Sequence, residues 1–180
     1  MANLLTTLRL LLIAPVFYGL ANPGSMPAYW LALLFLLAIA SDFFDGKVAR
    51  ATNTASARGM LFDHATDFLF VTSTMAALAL AGLLSPLLPI LVAIAFSQYV
   101  LDSYFWHKQK QLRMSFLGRW NGVFYFGPAL LYIASQLPLA GFLQTLFGVA
   151  SIWLGYGLIM STLLSIIDRT IAPLQLKRPQ

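Results

Sequence analysis

The chain has 180 residues, of which 59% are hydrophobic and only 9% charged, with a mean hydropathy of +0.79 and a net charge of +5. A soluble domain carries about 25% charged residues, so this composition excludes the ordinary globular class and points to a membrane. Cysteine is absent, which excludes disulfides, thiolate metal sites, iron–sulfur clusters and cysteine nucleophiles.

At about 20 residues per span, a chain of this length allows roughly six spans with short loops, so one membrane domain over residues 1–180 is expected. No charged residue occurs between Leu10 and Ser41, between Phe68 and Leu101, or between Trp120 and Ile167. Each stretch is too long for one span and is broken near its middle by turn formers. These are Asn22, Pro23, Gly24 and Pro27, then Gly82, Ser85, Pro86 and Pro89, then Pro138 and Gly141. Three helical hairpins follow, with helices predicted over 4–20, 28–45, 60–82, 87–106, 120–137 and 142–168. The weak alternating pattern of a membrane β-barrel is missing. The fold class expected is all-α and integral to a membrane, with six transmembrane helices.

Orientation comes from the basic residues. The turns inside the hairpins hold no Lys or Arg, whereas Lys47, Arg50 and Arg58, then Lys108, Lys110, Arg113 and Arg119, then Arg169, Lys177 and Arg178 occupy the other connections and the C-terminus. The positive-inside rule puts these loops and both termini in the cytoplasm.

All six acids are Asp, and four of them, Asp42, Asp45, Asp63 and Asp67, fall within 26 residues. Asp42 and Asp45 are spaced i,i+3 near the end of the second helix, and Asp63 and Asp67 i,i+4 near the start of the third. Each pair shares a helical face, and the loop between brings the two ends together at the cytoplasmic boundary. Four carboxylates converging there repel one another and lose hydration, a cost tolerable when cations hold them. Oxygen ligands without Cys or His select hard cations such as Mg²⁺, Mn²⁺ or Ca²⁺. Gly46 and Ala49 remove bulk beside the acids, and Gly59 lies one turn before Asp63. Arg50 and Arg58 can grip phosphate oxygens in a bidentate way. Two divalent ions bridged by carboxylates can neutralise a pyrophosphate and stabilise an in-line displacement, so phosphoryl transfer near the lipid headgroup plane is expected.

The stretch Asp42-Phe-Phe-Asp45-Gly46-Lys-Val-Ala49-Arg50, eight residues, then Gly59-Met-Leu-Phe-Asp63-His-Ala-Thr-Asp67 resembles the signature of the CDP-alcohol phosphatidyltransferase family, with all eight defining positions in register. Asn3, Thr6, Arg9 and Pro15 are similar to a first-helix pattern of many bacterial members. The resemblance implies a six-helix membrane enzyme of phospholipid biosynthesis. In that reaction an alcohol hydroxyl attacks a CDP-linked lipid such as CDP-diacylglycerol, releasing CMP. It further implies two divalent cations, Mg²⁺ or Mn²⁺, a homodimer, no nucleic acid partner, and an active site on the cytoplasmic face of a bacterial inner membrane. Carried onto this sequence, Asp42, Asp45, Asp63 and Asp67 are metal ligands, and Asp67 is also the general base. Gly46, Ala49 and Gly59 make room for the cytidine nucleotide, and Arg50 contacts its phosphate.

The acceptor is less constrained. In the branch that uses glycerol 3-phosphate the third Asp is typically followed by Pro and the fourth by Lys, whereas His64 and Phe68 stand here. An Asp-His pair resembles instead the choline and ethanolamine phosphotransferase branch, where diacylglycerol is the acceptor. Arg119, with Arg113 and Asn121, is a candidate for binding an anionic group on the acceptor, although basic residues at such helix ends commonly set topology. His64 reads as a polar neighbour of Asp63, and Asp102 and Asp168 as interface or ion-pair residues. Two readings outside the family stand beside these: an Asp-rich membrane prenyltransferase, and a non-enzymatic cation transporter lined by acids.

Overall fold

The computed structural model describes the backbone of residues 2–51, 57–101 and 116–175. Side chains at 2–3, 45–51, 57–58, 60–61, 99–101, 116–117, 119, 169 and 171–175 lie outside this description. All regular structure among the described residues is helical: α1 (Ala2–Ala21), α2 (Ala28–Ala51), α3 (Ala57–Leu80), α4 (Leu87–Leu101), α5 (Phe116–Phe124), α6 (Gly127–Ser135) and α7 (Gly141–Gln175).

The three hairpins predicted from sequence are present, and two of their turns rest on glycine. Gly24 and Gly82 have φ of 84° and 73°, in the left-handed region where a Cβ is penalised. At the end of α3 the Leu83 amide donates to the Leu78 carbonyl (2.9 Å) and the Gly82 amide to the Ala79 carbonyl (3.0 Å). This pair is a Schellman closure with Gly82 as its left-handed residue. Gly82→Ala is expected to cost about 1 kcal/mol, read as a lower melting temperature in detergent. Gly157→Ala, in the middle of α7 with open space around its Cβ position, should be neutral or stabilising; equal behaviour of the two would remove the turn argument.

Several helix boundaries differ from expectation. α2 runs to Ala51 and α3 starts at Ala57, so Gly46, Ala49 and Arg50 belong to the last turns of α2, and Arg58 and Gly59 to the first turn of α3. α7 continues to Gln175 rather than stopping near 168. The predicted fifth helix is split into α5 and α6, because Pro128 at the start of α6 has no amide to donate to the preceding turn. Gly127 beside it lets α6 approach α7, since a Cβ there would lie 2.5 Å from Leu154 Cδ2.

α1 packs on α2 and α3, α4 and α6 pack on α7, and α2 and α3 both reach α6. Phe35, Phe70 and Phe126 meet at this last junction, with ring centroids 5.6 Å (Phe35–Phe70), 6.4 Å (Phe35–Phe126) and 6.2 Å (Phe70–Phe126) apart. The surface is inverted relative to a soluble protein. Leu11, Trp30, Leu80, Phe142, Trp153 and Met160 are exposed, whereas Thr6, Arg9, Asn121, Thr162 and Ser165 are buried. The buried polar groups pair across helices, as in Tyr125 Oη with Thr162 Oγ1 (2.8 Å) and Ser161 Oγ donating to Asn121 Oδ1 (2.6 Å). Such inward polar contacts suit a bundle surrounded by hydrocarbon. Among the described residues two helical stretches, Leu4–Ala21 and Gly141–Asp168, are long and apolar enough to cross a membrane, and Ala28–Phe44 and Leu87–Gln98 are shorter apolar helices.

Candidate active site

The buried face of α1 carries Thr6, Arg9, Leu12, Val16 and Leu20, a three- to four-residue stripe packed against α2 and α3. That register drives Arg9 into the interior, where it is fully buried. Its Nη2 lies 3.1 Å from Asp42 Oδ1 of α2, and its Nη1 donates to Asp63 Oδ1 at 3.1 Å and to Asp67 Oδ1, both on α3. One guanidinium thus gathers carboxylates from both halves of the acidic motif. Asp63 and Asp67 stand one turn apart on α3 and reach Arg9 together, as the i,i+4 spacing requires.

His64 joins this group: one ligand atom each from Asp63, His64 and Asp67 all lie within 4.8 Å of one another. His64 stands about a 100° step round the helix from Asp63, as the reading of a polar neighbour requires, and it is also spaced i,i+3 from Asp67 and shares an edge of the helix with it. Three carboxylates against one guanidinium leave two negative charges uncompensated when all are ionised. The donor set, carboxylate oxygens with an imidazole at its rim, therefore fits a divalent cation.

Helix α2 passes through both Asp42 and Asp45, but the side chain of Asp45 lies outside the described residues, as do the positions of Gly46, Ala49 and Arg50 beyond their backbone and the side chains of Arg58 and Arg119. Gly59 is partly buried on the first turn of α3, one turn before Asp63. Phe68 points away from the cluster, its ring stacked on Phe96 of α4 at 4.0 Å. Asp168 is exposed near the far end of α7 and Asp102 lies outside the described residues.

Arg9 is the member of this cluster that the sequence analysis leaves out of the site. A charge on the third turn of an otherwise apolar helix was the available signal, but α1 is apolar on all sides, so periodicity did not reveal which face is buried. Position i,i+3 and i,i+7 from Leu12 and Val16 does so once those two are seen to be core.

An all-helical bundle with an apolar exterior and an acidic centre closed over a buried arginine is the class of protein that fold and site define. The chain belongs to the CDP-alcohol phosphatidyltransferase family, whose model matches residues 1–164, a membrane-bound family whose members use divalent metal ions. Among curated relatives, the CMP-forming cardiolipin synthase of Streptomyces coelicolor is 38% identical over 85 residues, covering 47% of this chain and 37% of that protein. The CDP-diacylglycerol–glycerol-3-phosphate 3-phosphatidyltransferase of Rickettsia felis is 36% identical over 69 residues, 38% of each chain. The enzyme of that name from Mycoplasma genitalium is 30% identical over 93 residues, 50% of this chain and 39% of that protein. The matches thus span under two fifths of each of these three relatives. No solved structure matches the chain.

Proposed function

We propose that this chain transfers a substituted phosphoryl group from a CDP-linked lipid, CDP-diacylglycerol in the first instance, to an alcohol hydroxyl with release of CMP. The observation that carries the reading is the convergence of Asp42, Asp63 and Asp67 on one point from two helices, within a motif whose spacing is that of the family. The relatives' names support the donor, since they specify CDP-diacylglycerol or CMP formation.

Asp42, Asp45, Asp63 and Asp67 would hold two divalent ions, Mg²⁺ or Mn²⁺, which supply positive charge for the diphosphate and the leaving group. Asp67 accepts the proton of the acceptor hydroxyl as that oxygen attacks the phosphorus on the lipid side of the diphosphate. The bond to the CMP oxygen breaks, and CMP leaves with the electron pair. Gly46, Ala49 and Gly59 leave space for the nucleotide, Arg50 and Arg58 bind its phosphates, and Arg119 is the candidate to bind an anionic group on the acceptor. The bundle sits in a membrane as a homodimer, with both termini and the acidic centre on the cytoplasmic side, in a bacterial inner membrane. No nucleic acid is involved. Family membership leaves the prenyltransferase and cation-transport readings without support.

For the acceptor, Phe68 places a stacked aromatic ring where the glycerol 3-phosphate branch has a lysine, so glycerol 3-phosphate is tested as one candidate among several. The assay is CMP release by the purified protein with CDP-diacylglycerol and Mg²⁺ or Mn²⁺, adding glycerol 3-phosphate, serine, inositol phosphate or another alcohol separately. Acceptor-dependent release that EDTA abolishes and added divalent ion restores is the expected result. Silence with every acceptor, followed by activity with CDP-choline or CDP-ethanolamine and diacylglycerol, would replace the donor. Silence throughout, with no CMP-dependent thermal protection, would sink the nucleotide reading.

A further inference from the structure

We propose that Arg9 is the resident counter-cation of the acidic centre: from the interior side it holds Asp42, Asp63 and Asp67 together and keeps α1, α2 and α3 assembled when no divalent ion is bound. The inference draws on the metal reading above for one of its arms only.

The exposures decide the arrangement. The Arg9 side chain is 0% exposed, whereas those of Asp42, Asp63 and Asp67 are 37%, 24% and 28% exposed. The guanidinium therefore lies beneath the carboxylates, which keep an open side. All three pairs run through Oδ1, so one planar fork aligns three acids that would otherwise repel one another. Lysine, a single point charge, does not reproduce this, because only a guanidinium presents several donors in fixed directions. A buried arginine is tolerated here because both Nη atoms lie beside carboxylates, while Nε has no hydrogen-bond partner among the described residues; removing it strands like charges in a poorly hydrated place.

A divalent ion approaching from the open side neutralises the same charge. Arg9 and the ion are thus partly redundant for stability: each matters more when the other is missing. This separates the role from simple packing, since a packing defect in α1 costs the same with or without metal.

The test is thermal unfolding of the purified full chain in detergent, in Mg²⁺ and in EDTA. Variants are Arg9→Met, Arg9→Lys, the double variant Arg9→Met with Asp63→Asn, and Leu20→Ala as a packing control fully buried on the same face. Arg9→Met should melt well below the parent in EDTA and regain on the order of 5 °C more from Mg²⁺ than the parent does. Arg9→Lys should fall between them. Adding Asp63→Asn should raise the melting temperature of Arg9→Met in EDTA by relieving repulsion, whereas Leu20→Ala should lose the same amount in both buffers. Should Arg9→Met not fold in EDTA, recovery of folded protein by the double variant carries the same conclusion. An Arg9→Met loss that is equal in both buffers and unrelieved by Asp63→Asn overturns the proposal. Relief by Asp63→Asn combined with no Mg²⁺ effect on any variant supports Arg9 as counter-cation and counts against the metal reading instead.

Discussion

Asp67→Asn is expected to lower acceptor-dependent CMP release by about 10³-fold, within the range spanned by general-base catalysis, while the protein stays folded. The change keeps the size of the side chain and removes both its charge and its basicity. Arg9 retains Asp42 and Asp63 as partners, so the α1–α2–α3 junction survives. The measurement pairs initial rates at saturating Mg²⁺ with a melting curve for the same preparation. Loss of rate with an intact melting transition assigns Asp67 to the chemistry. A variant that keeps more than about a tenth of the parent rate would remove Asp67 as the essential base and leave the role to a neighbouring carboxylate.

The largest stability effect is expected at Phe70. Its ring is fully buried between Phe35 of α2 and Phe126, and Phe70→Ala should cost about 3–5 kcal/mol through the lost contacts and the cavity left behind. Leu80→Ala, on the same helix but 73% exposed, should cost less than about 1 kcal/mol. Similar losses at the two positions would mean that the aromatic junction is not the core. The site depends on this junction as well. Phe35 precedes Asp42 by seven residues and Phe70 follows Asp63 by seven, about 10 Å along each of two antiparallel helices. Contact between the two rings accords with Asp42 and Asp63 standing at one level, where both reach Arg9 of α1.

Much of this was legible in the sequence because membrane helices declare themselves by length and charge rather than by periodicity. Uncharged runs bounded the hairpins, and Asn22–Pro27 and Gly82–Pro86 marked their turns. What failed was local. The split at Tyr125–Phe126 was hidden because a proline in a long apolar run is compatible with a kinked helix as much as with two helices. The extension of α2 to Ala51 was hidden because Gly46, Lys47 and Arg50 read as a loop. His64 reads in the sequence as a polar neighbour of Asp63, and the structure adds that a ligand atom of His64 lies within 4.8 Å of those of Asp63 and Asp67, an i,i+3 relation to Asp67 present in the same heptad.

The four-Asp motif, its spacing and the chemistry of hard cations follow from residue identity and helical geometry alone, since i,i+3 and i,i+4 spacings place side chains on one face in any helix. Which cation already belongs to that face was decided only by the tertiary structure. Arg9 is 33 residues from Asp42 and 54 from Asp63, and nothing local connects them. Only the packing of Leu12, Val16 and Leu20 against α2 and α3 turns α1 so that its one charge is buried among three carboxylates, where desolvation makes their pairing obligatory.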